Sequence, residues 1–180
     1  MNGFGSLFWG FLFMFDFRIQ GVDILPNFIG YLFMYSGLGN LSSYSSEFGN
    51  AKKYSIPLAV LSLFSLYQVQ NPVGQVTIDP LSLGLYSVGI VTVVLDLLLV
   101  YHLCLGIIDL AKDQSNDDLQ VLAHHRWKYY LYYKVTFTIW FTLGVIAPFL
   151  IAIGFIPMLM FSIAVSVLMI ALMKKAQDSL

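Results

Sequence analysis

Between residues 81 and 108 the chain is apolar throughout, and Asp96 and His102 are its only ionisable polar interruptions. As an α-helix this stretch would be about 42 Å long at 1.5 Å per residue. The hydrocarbon core of a bilayer is only about 30 Å thick. A run of that length has to tilt or project into water. Shorter apolar runs occur at 4–15, 28–38, 55–69, 135–152 and 158–173. They are continuous and not alternating, so helices are expected and a closed β-barrel is not. Composition agrees: 58% of residues are hydrophobic and 11% charged, where a soluble domain carries about 25% charged residues.

These runs predict an all-α fold, a polytopic six-helix transmembrane bundle forming one domain over 1–180. Its spans lie near 4–22, 27–41, 55–69, 81–108, 135–152 and 158–173. The first is read as retained, because no Lys or Arg precedes Phe4 and no small-residue cleavage site follows the apolar core. Residues 109–134 are read as a cytoplasmic amphipathic segment on the membrane surface. Within it Trp127, Tyr129, Tyr130, Tyr132 and Tyr133 form an aromatic belt, with Lys128 and Lys134 as snorkelling amines. Pro148 is expected to bend the fifth span, and 154–157 to form the turn before the sixth.

The chain has nine Lys and Arg residues. In this topology Lys52, Lys53, Lys112, Arg126, Lys128, Lys134, Lys174 and Lys175 fall on one face, and Arg18 falls on the other. The positive-inside rule then makes both termini cytoplasmic. Ile56-Pro57 and Ile156-Pro157 each head a similar apolar heptapeptide. That match raises 3+3 inverted halves, an arrangement found in many transporters.

The stretch DFRIQGVDILPN at 16–27 breaks the N-terminal apolar region. It reads as helix, tight polar turn, helix, with Asp23 capping a helix that opens at Ile24. Asp16, Arg18, Asp23 and Asn27 could line a polar vestibule, and a plain hairpin loop is the simpler reading. Ser6 and Gly10 form a small-xxx-small pair that allows close helix contact, and with it a partner interface.

Asp96 is the most informative residue, because ionisable groups inside spans are rare and face the bundle interior. The expected partners are Thr136, Thr138, Ser62 or Ser65, or an internal water. No cationic partner is expected from this chain. His102 lies about 120° around the helix from Asp96, so the two do not share a face. His102 and Asp109 nearly do, but could join only through another helix or water. His102-x-Cys104 is not a metal motif, since residues two apart diverge on a helix. His124 and His125 with Asp117 and Asp118 lack the spacing of helical zinc sites. No nucleophile–base pair or nucleotide fingerprint occurs, and no basic stripe points to nucleic acid.

The run at 21–31, GVDILPNFIGY, resembles a D-I-L-P-[DN]-x-I-G-Y motif of small uncharacterised multi-pass membrane proteins of Gram-positive bacteria. GIIDLA at 106–111 and Arg126-Trp127 resemble the same group. The resemblance covers about a fifth of the chain and implies a bacterial plasma-membrane location without an activity. In size and span count the chain is also similar to substrate-binding subunits of energy-coupling-factor transporters. Their Ala-x-x-x-Ala interface has no counterpart here, because the first span contains no Ala.

The leading functional expectation is a transport-related membrane component without enzymatic activity, cofactor or metal. Its candidate polar site comprises Asp96, His102, Asp16, Arg18, Asp23 and Asn27. The alternative is a non-transporting assembly or signalling subunit. The expected partners are the lipid bilayer and either a second membrane subunit or further copies of the chain. A deep polar pocket reaching Asp96 would favour the first, and a dry, tightly packed bundle with a conspicuous exposed apolar face the second.

Overall fold

The computed structural model describes residues 3–14, 18–19, 22–23, 27–66, 80–147 and 149–180. Among these, six helices follow one another: α1 (Gly3–Phe13), α2 (Asn27–Leu41), α3 (Ser46–Leu66), α4 (Pro80–Asp113), α5 (Asp117–Ile146) and α6 (Phe149–Ser179). Between α1 and α2 lie two-residue strands, β1 (Arg18–Ile19) and β2 (Val22–Asp23), paired antiparallel with Arg18 opposite Asp23. Each helix packs on the next in sequence, and α1 closes the ring against α6.

Several expected boundaries move. The first helix stops at Phe13, where Met14 N–H closes the last bond to the Gly10 carbonyl at 3.1 Å. Beyond it the helix expected to run to Val22 gives way to the strand pair and Asp23 belongs to β2, while Ile24, the expected start of a helix capped by Asp23, lies outside the described residues. Helix α3 begins at Ser46, well before the expected Ser55, which places Pro57 in its interior. Ser45 caps it: the Ser45 hydroxyl oxygen accepts from Glu47 N–H at 3.2 Å. The same hydroxyl donates to Asp109 Oδ2 on α4 at 3.0 Å, which ties the α2–α3 connection to the next hairpin.

The expected surface segment at 109–134 does not exist as a separate unit. Its first residues complete α4, and the remainder is the first half of an unbroken α5. The stop signal is local. Ser115 adopts φ 55°, and Asn116 N–H reaches back to the Ala111 carbonyl at 2.8 Å. This is the left-handed helix ending usually made by Gly. Asn116 then caps α5, its side chain accepting from Leu119 N–H at 3.1 Å, with Asp117 and Asp118 in the first turn complementing the helix dipole. Because a left-handed conformation costs an L-residue about 1–2 kcal/mol, Ser115→Gly is expected to raise the thermal midpoint in detergent. A lowered midpoint would mean that the Ser115 side chain contributes more than its backbone costs.

At the other end α5 finishes at Ile146, and Ala147 N–H bonds the Leu143 carbonyl at 2.9 Å. Pro148, expected to bend the fifth span, lies outside the described residues. Residues 154–157, expected as a turn, are helical, and Pro157 lies inside α6. Trp140 Nε1–H donates to the Leu150 carbonyl at 3.0 Å and fastens the two helix ends.

The first three helices have 11, 15 and 21 residues and the last three 34, 30 and 31. Ile56-Pro57 lies inside α3 and Ile156-Pro157 inside α6. By length and composition two described helices can cross a membrane: Tyr86–Asp113 within α4, and α6. At 1.5 Å per residue α1 and α2 measure about 16 and 22 Å. Helix α3 carries Glu47, Lys52 and Lys53, and α5 carries Arg126, Lys128 and Lys134. The expected six spans reduce to a six-helix all-α fold with two helices of spanning character.

The core is built from Phe4, Leu7, Met34, Leu38, Leu58, Leu99, Leu103, Ile107, Met169 and Leu172, all essentially solvent-free. Helices α1 and α2 approach closely through Gly3 and Gly10 on one and Gly37 and Gly30 on the other. The small-residue face of α1 is therefore used inside the chain. Ser6 sits against Gly37, and Gly10 against Gly30.

Candidate functional site

Asp96 lies near the middle of α4, about 25 Å along the helix from Asp113. Its side chain is 1% exposed and points into the bundle, as expected for an ionisable group in an apolar run. Its partners differ from those expected. Tyr31 of α2 donates its hydroxyl to Oδ1 at 3.2 Å, and Tyr130 of α5 donates to Oδ2 at 2.6 Å. Lys134, one turn beyond Tyr130, places Nζ 2.8 Å from Oδ2.

The expectation of no cationic partner is overturned by that last contact. The expected hydroxyl partners are occupied or turned away. Thr138 donates to the Lys134 carbonyl and Ser62 to the Ala59 carbonyl, both at 2.8 Å. Thr136 is exposed, and the Ser65 side chain lies outside the described residues.

The sequence puts Lys134 in an aromatic belt because Tyr and Lys crowd together at 128–134. The helix divides that cluster. Tyr129 and Tyr132 face outward, at 45% and 59% exposure, whereas Tyr130 is 5% exposed. The Lys134 ammonium lies 5.3 Å from the Tyr130 ring centre and 6.0 Å from that of Tyr133, within cation–π range. Lys134 therefore leaves the group of cations expected at one membrane face.

A cavity of about 90 Å³ opens beside this pair, between α1, α2, α5 and α6. Its polar lining includes Tyr133 and three pairs spaced i, i+4: Asn27 and Tyr31 from α2, Tyr130 and Lys134 from α5, and Ser162 and Ser166 from α6. Residues at that spacing stack on one helix face, so three helices each turn one polar stripe to a common space. Met14, the last described residue before the polar break, also lines it.

The other sequence-predicted site residues are dispersed. Asn27 joins the cavity. Arg18 and Asp23 face each other in backbone register across β1 and β2, and their side chains lie outside the described residues, as does Asp16. His102 is separate. Its Nδ1 lies 2.6 Å from Glu47 Oε2, and Tyr54 stacks on its ring at 5.8 Å between centres. Asp109 meets Ser45, not His102. The two α4 groups thus reach the α2–α3 region through different partners. Among the described residues no three His, Cys, Asp or Glu side chains gather as a metal site.

Sequence reading misses Tyr31, Tyr130, Lys134, Ser162 and Ser166 as site residues. The available signal is the repeated i, i+4 polar pair.

No family model, curated protein or solved structure matches the chain.

Proposed function

We propose that this chain is an integral protein of the bacterial plasma membrane whose six helices cross the bilayer, and that it moves a small polar solute without converting it chemically. The observation that carries this reading is the Asp96–Lys134 pair, held inside the bundle beside a polar cavity. Opposite charges taken from water into a low-dielectric interior rarely add stability over an apolar pair. Ionisable groups at membrane depth mark solute and ion pathways.

The outward faces support a lipid surround. Ile153, Ile156, Met160 and Val167 on α6, and Val91 and Val94 on α4, are about half or more exposed. An apolar exterior of this extent is costly in water and suits hydrocarbon. Helix α5 can cross because Lys134 is neutralised inside the bundle. Helices α1 and α2 cross only if the polar segment between Met14 and Asn27 completes their length. The motif resemblance around Asn27 supports the bacterial membrane setting.

Orientation rests on one end of the bundle. Gln114 at the α4–α5 turn donates to the Leu180 carbonyl at 3.5 Å, and Gly5 of α1 packs near Gln177. The first turns of α1, the end of α6, Lys112, Lys174 and Lys175 therefore cluster there. The positive-inside rule makes this end cytoplasmic.

The test is uptake into vesicles containing the purified full chain, with radiolabelled acetate, phosphate, glycine and glycerol offered in turn. Accumulation of at least one above protein-free vesicles, reduced by Asp96→Asn, is the expected result. Equality with protein-free vesicles for all four overturns the transport reading in favour of an assembly or signalling subunit.

A further inference from the structure

We infer that the cavity beside Lys134 binds a small monovalent anion, and that Asp96 takes up one proton as the anion enters. This rests on the transport reading and names the solute class and its coupling ion.

Among the described residues, the lining of the cavity has one charge sign. Lys134 brings an ammonium, and Tyr133, Ser162 and Ser166 bring hydroxyls; Tyr31 and Tyr130 also line it, with their O–H protons already donated to Asp96. Asp96 does not line the cavity. It stands behind Lys134, with Oδ2 at 2.8 Å from the ammonium. A solute in the cavity thus meets hydrogen-bond donors and a cation first, a surface that suits an anion. The cavity, of about 90 Å³, has room for several waters and hence for an anion of three or four heavy atoms.

The hydrogen-bond inventory of Asp96 supplies the coupling. Ionised, it accepts from three donors: Tyr31 at Oδ1, and both Tyr130 and Lys134 at Oδ2. A protonated carboxyl turns one acceptor position into an O–H donor and loses its negative charge. Three incoming donors then exceed what it holds well. Tyr31 and Tyr130 are each 5% exposed, whereas the Lys134 side chain is 22% exposed and borders the cavity. Lys134 is the donor with somewhere to turn.

Charge conservation points the same way. Before binding, the site holds carboxylate and ammonium and is neutral. Afterwards it holds a carboxylic acid, the same ammonium and the anion, and is neutral again. The proton forms an O–H bond on Asp96, and the anion replaces the carboxylate as the charge facing Lys134. Neither state leaves a net charge buried at membrane depth, which would be strongly unfavourable. Proton and anion therefore enter together and cross without moving net charge.

The titratable and charged groups described as facing Asp96 are few. Helix α2 contributes Tyr31, and α5 contributes Tyr130 and Lys134, with Tyr133 nearby. Helix α6 contributes only the Ser162 and Ser166 hydroxyls to the cavity. The charged side chains described on α3 lie in its first two turns, where Glu47 meets His102.

Binding of nitrate and of formate to the full chain in lipid nanodiscs, by calorimetry at pH 5.5, 6.5 and 7.5, tests this. Neither anion takes up a proton itself in that range. Linkage to one proton tightens binding about tenfold for each pH unit of acidification. In lightly buffered solution about one proton is absorbed per anion bound. Asp96→Asn is expected to bind nitrate with an affinity that no longer depends on pH. Ser166→Leu, which fills the cavity without touching the pair, is expected to lose binding and keep its thermal midpoint. Affinity that is equal at the three pH values in the wild-type chain, or anion binding without proton uptake, overturns the inference. Uptake of glycine or glycerol into vesicles without anion binding overturns it and leaves the transport reading standing. Proton-linked anion binding without uptake into vesicles supports this site and removes the transport reading.

Discussion

Lys134→Met is expected to cost about 3–5 kcal/mol of unfolding free energy, and adding Asp96→Asn to return most of that loss. Removing one member of a buried ion pair leaves the other charge without compensation, and that penalty has this size. Asp96 is 1% exposed, so water cannot take over the role of the ammonium at 2.8 Å. The Tyr31 and Tyr130 hydroxyls would still reach the carboxylate, but two neutral donors do not replace a cation. In the double variant the carboxylate is gone. The amide introduced by Asp96→Asn keeps an oxygen that accepts from a tyrosine, and the Met thioether fills the volume of the lysine stem. Asp96→Asn alone is expected to fall between, because it leaves Lys134 facing an amide. The measurement is a double-mutant cycle by reversible denaturation in mixed micelles. Additive single effects would show that the two side chains do not interact energetically, and would remove the pair from any functional account.

The interior orientation of Asp96 was legible because the sequence around it is apolar on every side. One carboxylate in such a run has few places to go. The identity of its partners was not legible, because Lys and Tyr crowd together at 128–134 of α5 and such a stretch carries no periodic signal that separates inside from outside. Tyr130 and Lys134 therefore look like members of a surface belt, although Tyr129 and Tyr132 belong outside and Tyr130 inside. The i, i+4 spacing of Asn27 with Tyr31, Tyr130 with Lys134, and Ser162 with Ser166 is visible in the sequence. Its meaning requires knowing that α2, α5 and α6 meet at one cavity.

Helix boundaries go astray where polar residues resemble loops. Ser46 to Tyr54 contains Glu47, Asn50, Lys52 and Lys53, yet it is helical. Its polar groups have local or neighbouring partners, such as Lys53 with Asn50 at 3.1 Å and Glu47 with His102. Residues 117–134 follow the same course: a capped N-terminus starts a helix that continues into the apolar run. Pro157 has the look of a turn residue, but it lies within α6, where its ring nitrogen leaves out one main-chain hydrogen bond. The break at Ser115 has no glycine or proline to announce it.

Gly37→Ala is expected to destabilise the chain by about 1–3 kcal/mol, the range for overpacking a tight contact. A Cβ at Gly37 would stand 2.7 Å from the Gly3 carbonyl oxygen and 3.0 Å from Leu7 Cγ. One at Gly30 would stand 2.9 Å from the Gly10 carbonyl oxygen, and one at Gly3 would stand 2.6 Å from that of Gly37. The obstacle at each is backbone, which cannot swing aside like the end of a side chain. The two glycines of α1 are seven residues apart, and so are the two of α2, so they match across an antiparallel pair as Gly3 with Gly37 and Gly10 with Gly30. Added bulk at either level forces the helices apart along the seam. Two effects compete in the measurement. Alanine favours a helix over glycine by about 1 kcal/mol, and the clash opposes it. Gly89→Ala separates them, because nothing lies within 4 Å of its Cβ position in α4. It is expected to raise the thermal midpoint while Gly37→Ala lowers it. The seam also holds Tyr31, adjacent to Gly30, against Asp96 at 3.2 Å. Displacing α2 by Gly30→Val is therefore expected to loosen that hydrogen bond as well as the packing. A rise in midpoint for both Gly37→Ala and Gly30→Val would mean that α1 and α2 are not in close backbone contact.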